Sequence, residues 1–128
     1  MALTRIQPER LPWMSPRWPP VLPAAESLHA VYGTDADELT IRFPNTPERD
    51  IVVVWLATPS IEYAGLMVHE HSGAVVGVQV DYLEGYTQAV HPTWLAAGSE
   101  PAPKVASAIV DDVKQLHERY GLLHDPAS

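Results

Sequence analysis

Residues 63–83 read YAGLMVHEHSGAVVGVQVDYL, and this stretch decides the fold. Two apolar runs, 63–71 and 74–83, flank Ser72–Gly73, a pattern typical of two strands joined by a tight hairpin turn. Upstream, DIVVVWL (50–56) is a continuous β-branched run, which predicts a strand that is buried on both faces or covered by a helix. Short connections between such strands favour antiparallel pairing of sequence neighbours.

Two further strands are predicted on the N-terminal side of this region. The segment LHAVYG (28–33) is short and rich in strand-forming residues. In DELTIRF (37–43), apolar and polar residues alternate, which is the period of a strand with one buried face. The whole pattern predicts an antiparallel β-meander of four to five strands.

The C-terminal segment predicts one long helix over roughly 102–120. Ser99 is a suitable N-cap, and Gly121 is a natural stop. A short helical turn around 93–97 is also compatible with the sequence. Apolar residues recur every three or four positions along the long helix, at Val105, Ile109, Val113, Leu116 and Tyr120. The predicted fold class is therefore α+β, with the meander packed by a C-terminal α-helix.

An extended, proline-rich arm (residues 1–23) precedes a single domain (residues 24–128). Six of the 13 prolines lie in the arm, so neither a long helix nor a central strand can run through it. The arm also carries Trp13, Arg17 and Trp18, and its net charge is +2. Because the whole chain has a net charge of −8, the domain has a net charge of −10. We expect the arm to pack either on its own domain or on a neighbouring copy, with these three residues as its contacts.

Composition excludes several classes of function. The chain has 128 residues and no cysteine, which excludes disulfides, thiol catalysis and cysteine-bound zinc. Its formal net charge of −8 argues against binding to nucleic acid or to an anionic membrane surface. No stretch has the ~20 apolar residues of a membrane span, so we expect a soluble cytoplasmic protein. Nucleotide-binding glycine loops and the G-x-S-x-G serine motif are absent from the sequence.

Two stretches resemble a family of small bacterial domains of unknown function. One is the acidic turn and alternating strand YGTDADELTI (32–41), and the other is the glycine turn and strand SGAVVGVQV (72–80). The resemblance covers residues 32–83. It implies a meander of about four strands backed by a helix, and it implies no activity.

The best candidates for a metal site are His69 and His71. On a strand, the period of two places both imidazoles on one face, where one ion could bind them. A complete site needs a third ligand, for which His29, Glu62 and His91 are the candidates. The alternative is that His69 and His71 are two exposed polar residues at the end of a hairpin.

One helix covers only one face of a sheet, so the second face needs another cover. The arm, residues 84–98 or a second subunit could provide it, and Trp55 and Trp94 add large amphipathic surface near the sheet. We therefore predict a non-enzymatic protein–protein interaction module or accessory subunit that forms a homodimer and holds no cofactor. Two alternatives stay open: a small-molecule or metal-binding protein that uses His69 and His71, and an acidic, antitoxin-like protein that neutralises a basic partner.

Overall fold

The computed structural model describes residues 12–33, 38–57, 64–81 and 103–123. Within these ranges the chain forms five strands, one α-helix and two short 3-10 turns. The elements are the turn Pro12–Met14, the turn Ala25–Ser27, β1 (His29–Gly33), β2 (Glu38–Arg42), β3 (Ile51–Trp55), β4 (Ala64–His69), β5 (Val75–Asp81) and α1 (Pro103–Tyr120). The predicted α+β class, with an antiparallel sheet and a C-terminal helix, is confirmed. The helical turn expected around 93–97 lies outside the described residues.

The strands are ordered β1–β2–β5–β4–β3, and each neighbouring pair is antiparallel. Sequence neighbours pair as expected except for β2 and β3, because β5 lies beside β2 and leaves β3 at the edge. The register explains this order. Leu39 lies opposite Val80, and Ile41 lies opposite Val78, so the pairing of β2 with β5 joins two apolar rows into one continuous surface.

The edge position of β3 changes the expectation for its β-branched run. Only Val54 is buried within Ile51–Trp55, and the other four residues are half-buried. The strands that are buried along nearly their whole length are the interior strands β4 and β5. The C-terminal end of β3 pairs with the short segment that follows α1, where the N–H of Leu123 donates to the carbonyl of Trp55 at 2.7 Å.

Helix α1 packs on one face of the sheet, which we call the helix face. Its fully buried residues meet alternate residues of the central strands, as the stripe at helical spacing predicts. None of the helices in the described residues combines the length and the apolar character that a membrane span requires. The core between α1 and the strands consists of Leu39, Ile41, Phe43, Val54, Leu56, Ala64, Leu66, Val68, Val75, Val78, Val80, Ala106, Ile109, Val110 and Val113.

The opposite surface, which we call the far face, divides into an apolar and a polar half. Its apolar half is formed by β3 and β4, where the side chains of Val53 and Trp55 lean over Gly65. Its polar half lies on β1, β2 and β5. The apolar half consists of Ile51, Val53, Trp55, Gly65 and Met67, and the polar half includes Glu38, Thr40, Arg42, Gln79 and Asp81.

Candidate functional site

The described part of the arm is attached to the turn between β4 and β5 through its backbone. The N–H of Arg17 donates to the carbonyl of Gly73 at 2.8 Å, and the N–H of Val75 donates to the carbonyl of Arg17 at 2.9 Å. These two bonds form an isolated parallel bridge between Arg17 and Ala74. The guanidinium of Arg17 adds a hydrogen bond of 2.6 Å to the carbonyl of Ser72. The turn therefore acts as a seat for the arm.

Gly73 makes this close approach possible for two reasons. Its φ of 76° lies in the left-handed region, which side chains with a Cβ disfavour. A Cβ at this position would also lie 2.5 Å from the carbonyl oxygen of Pro12. Because the glycine lacks that atom, the backbone of the arm can lie directly against the turn.

Trp18 fixes the arm to the end of α1. Its indole Nε1 donates a hydrogen bond of 3.0 Å to Nδ1 of His117, and its ring lies 6.2 Å from that of Phe43. An indole N–H can only donate, so Nδ1 of His117 must accept. The neutral imidazole therefore carries its proton on Nε2.

The environment of His117 favours this neutral form. Burial lowers the pKa of the half-buried imidazole because it penalises the charged form, and the negative charge of Glu118 opposes that effect more weakly. Between them, the hydrogen bond and the pKa depression make His117 an uncharged acceptor at neutral pH.

All three predicted arm residues contact the domain of their own chain. Trp13 and Trp18 are half-buried against the core, and Arg17 is exposed while its backbone and guanidinium bind the turn. Residues 12–23 pack on their own domain, and contact of the arm with a neighbouring copy stays a prediction. The role of these residues in binding a partner stays a prediction.

A second cluster lies on the same turn and contains Asp50, Glu70 and His71. The N–H of Glu70 donates to the carbonyl of Asp50 at 2.8 Å, which brings the residue before β3 against the turn. Nε2 of His71 lies 3.5 Å from Oδ2 of Asp50 and 3.4 Å from Oε1 of Glu70. One nitrogen and two carboxylate oxygens thus lie within 4.8 Å of one another. The imidazole is 66% exposed, so the cluster faces solvent.

His69 and His71 lie side by side at the end of β4, and their use as a metal-binding pair stays a prediction. Strand β4 ends at His69, so His71 lies in the turn, and the two rings meet edge to face at 5.6 Å. Nδ1 of His69 forms a hydrogen bond with the hydroxyl of Ser72 at 2.8 Å. That hydroxyl also accepts the N–H of Ala74 at 3.2 Å, which makes the pair part of the turn.

The three candidates for a third metal ligand are not brought to this cluster within the described ranges. His29 lies on β1, and β2 and β5 separate that strand from β4. Glu62 and His91 lie outside the described residues.

Sequence reasoning missed His117 and Asp50 as site residues. A signal for His117 was present, since it follows the core residue Val113 by four positions and therefore lies at the border of the apolar stripe. Asp50 gave no comparable signal, because its contact with Glu70 depends on the pairing of β3 with β4.

Comparison with known proteins adds no relative. No family model matches the chain, and neither the curated proteins nor the solved structures contain a match.

Proposed function

We propose that this protein is a non-enzymatic interaction module that forms a homodimer through the apolar half of the far face. The observation that carries the proposal is the position of the arm. Trp13, Trp18 and Leu22 of the arm pack against the core on the helix face, whereas Ile51, Val53 and Trp55 of the apolar half are only half-buried. A second copy is the cover that we propose.

The chemistry of the apolar half supports a symmetric partner. A two-fold interface places the same patch on both subunits, so the patch must be complementary to itself. Ile51, Val53 and Trp55 are half-buried and carry no charge that would oppose a second copy of the patch, while Met67, 8% exposed, lies beneath them. Trp55 is also of a residue type that is enriched at the energetic centres of interfaces.

The dimensions of the patch predict a modest affinity. Two strands of five residues cover roughly 10 Å by 17 Å, and the whole sheet covers about 24 Å by 17 Å. This is small beside the interface of about 800 Å² per partner in typical stable complexes. We therefore expect a dimer that dissociates on dilution.

Sedimentation velocity of the full chain, from micromolar to near-millimolar concentration, tests the proposal. We expect a concentration-dependent dimer that Val53→Arg converts to a monomer with an unchanged circular dichroism spectrum. Val21→Arg is the matched control, because Val21 is 81% exposed on the arm and should leave the dimer intact. A wild-type protein that stays monomeric throughout the range would refute the homodimer and favour the chain's own residues, such as 84–98, as the cover.

Binding of a divalent cation is a second candidate function, and the Asp50–Glu70–His71 cluster favours it. A histidine nitrogen with two carboxylate oxygens is a ligand set that suits zinc and related ions. Three protein ligands leave a position for water, which is the arrangement of catalytic rather than structural zinc sites. The exposure of the cluster predicts weak and reversible binding.

Calorimetric titration of the metal-free protein with zinc tests this candidate. We expect one site, lost in His71→Ala and kept in the matched variant His69→Ala, since His69 bonds to Ser72 and lies outside the cluster. Equal loss of binding in both variants would instead favour a metal site formed by His69 and His71, as the sequence predicts. No heat of binding in the wild type would exclude the site.

Two further parts of the proposal rest on the sequence alone. The antitoxin-like alternative depends on the −10 net charge of residues 24–128, and a cytoplasmic location depends on the absence of cysteine. Kinship with the family of small bacterial domains likewise rests on the two stretches within residues 32–83.

A further inference from the structure

The contact between Trp18 and His117 joins two parts of the chain that lie far apart in the sequence. Trp18 belongs to the arm, and His117 lies in the last turn of α1. This hydrogen bond can form only when the imidazole of His117 is neutral. A doubly protonated imidazole is a donor at both nitrogens, and it would then face the indole N–H, which cannot accept.

We propose that the Trp18–His117 hydrogen bond is a proton-sensitive latch, which holds residues 12–23 on the helix face at neutral pH and releases them in mild acid. The latch does not depend on the oligomeric state. Protonation removes the hydrogen bond, and it also places a positive charge on the half-buried imidazole beside the indole of Trp18, where burial penalises the charged form. Both effects favour the released arm.

The charges around His117 are compatible with this behaviour. The lowered pKa of His117 has burial as its main cause, and Glu118 is the charged group that opposes it. On the elements packed against α1, the arm contributes Arg17 and the turn Ala25–Ser27 contributes Glu26, and both side chains are exposed. The strand residues of the core on this face are apolar, and Tyr32 of β1, which packs against that core, adds a phenol. Within the described ranges, no buried carboxylate is available to hold an imidazolium in the docked position.

Release of residues 12–23 must also break the backbone bridge between Arg17 and the turn. The N–H and the carbonyl of Arg17 bond to Gly73 and Val75, which are buried, while Arg17 itself is exposed. The amide of Arg17 is therefore the natural reporter of arm release. The amide of Val78, in the central strand β5, reports unfolding of the whole domain.

Amide hydrogen exchange measured by NMR between pH 7.5 and 5 tests the latch. Proton linkage predicts that the protection factor of Arg17 falls up to about tenfold per pH unit, from the ordinary histidine pKa of about 6.5 down to the lowered pKa of His117. Protection of Val78 should change less. Loss of the Trp18 indole proton signal from its hydrogen-bonded position should follow the same curve.

Two variants separate the latch from general acid effects. His117→Asn keeps an acceptor near the position of Nδ1 but does not titrate, so its Arg17 protection should be independent of pH. His29→Asn removes an exposed histidine on β1, which β2 and β5 separate from β4, and should keep the wild-type curve. The latch is overturned if wild-type Arg17 protection is constant with pH, if it falls in parallel with that of Val78, or if His117→Asn retains the decrease. The wild-type indole signal decides the matter even if His117→Asn does not fold.

Discussion

The indole of Trp18 donates to Nδ1 of His117 across 99 positions of the chain. This bond connects the N-terminal arm to the last turn of the C-terminal helix, and it explains why the arm lies on the helix face. This contact acts together with the backbone bridge of Arg17 to hold a segment whose prolines already restrict its backbone. Residues 12–23 are thus a part of the core's cover and not a solvated tail.

Replacing Trp18 with phenylalanine should destabilise the protein by about 1–2 kcal/mol. Phenylalanine can still pack on Phe43, but it leaves Nδ1 of His117 half-buried without its donor. Urea unfolding at pH 7.5 measures the change. Trp13→Phe is the control, because Trp13 packs on the same core without a hydrogen bond to a described residue. A cost no larger than that of the control would show that the hydrogen bond contributes little.

The pH dependence of stability should also change in Trp18→Phe. The folded-state pKa of His117 is lowered, so the unfolded chain binds the proton more readily. The stability that this histidine contributes is therefore complete above about pH 6.5 and is lost as the pH falls toward the lowered pKa. Across this range, the free energy of unfolding should depend less steeply on pH in the variant than in the wild type. The reason is that His117 of the variant has fewer contacts that favour the neutral form.

The seat of the arm predicts different costs for two glycines in the same backbone conformation. Gly73 and Gly121 both have positive φ values, 76° and 75°. Alanine at Gly121 meets no atom within 4 Å, so only the left-handed penalty of about 1 kcal/mol applies. Alanine at Gly73 must also displace the carbonyl of Pro12, and we expect about 3 kcal/mol or more.

Thermal unfolding of the two glycine variants checks the comparison. Gly73→Ala should in addition reduce the protection of the Arg17 amide, since its partner carbonyl belongs to Gly73. Equal costs for the two variants would mean that the arm adjusts freely, and that the turn is not a close-fitting seat.

Glu38→Gln should stabilise the protein at neutral pH by about 0.5 kcal/mol. Glu38 lies directly opposite Asp81 at the end of the β2–β5 pair. Desolvation, the charge of Asp81 and a hydrogen bond to Asp81 raise the pKa of Glu38. A raised pKa means that the folded state binds the proton more tightly, so the contribution of Glu38 is complete in acid and lost as the pH rises through the raised pKa.

The advantage of Glu38→Gln should therefore disappear in acid. Chemical unfolding at neutral and at acidic pH, with the exposed Glu26→Gln as the control, measures this difference. A variant that is less stable than the wild type at pH 7 would contradict the repulsion between the two carboxylates.

Local patterns predicted most of the fold, but they could not predict the order of the strands. The alternation in β2 and the helical stripe of α1 each depend on residues close in sequence, and both elements formed as expected. The position of β5 between β2 and β4 depends on which apolar rows match in register. Burial of β3 followed the same rule, because Ile51–Trp55 would be an interior strand by composition and is an edge strand by topology.

Site residues were predictable only where the chemistry was local. His69 and His71 attract attention as a pair, yet the end of β4 at His69 places them in different surroundings. Asp50 reaches His71 through strand pairing, and Trp18 reaches His117 through packing of the arm. Such contacts between distant segments follow from the three-dimensional arrangement, which spacing along one strand or helix does not contain.

Gly65→Ala should disturb the far face and the dimer together. A Cβ at Gly65 would lie 2.9 Å from Cε3 of Trp55 and from Cγ1 of Val53, so both side chains must move away from the sheet. We expect a cost of about 1–3 kcal/mol from this overpacking. Gly33→Ala is the matched control on the edge strand β1, where the new Cβ meets only the carbonyl of Glu38 at 3.9 Å. Thermal unfolding should show that Gly33→Ala is neutral or slightly stabilising.

Because Val53 and Trp55 form the proposed interface, sedimentation should also show a weaker dimer for Gly65→Ala and an unchanged dimer for Gly33→Ala. An unchanged dimer for Gly65→Ala would mean that the apolar half of the far face does not mediate self-association.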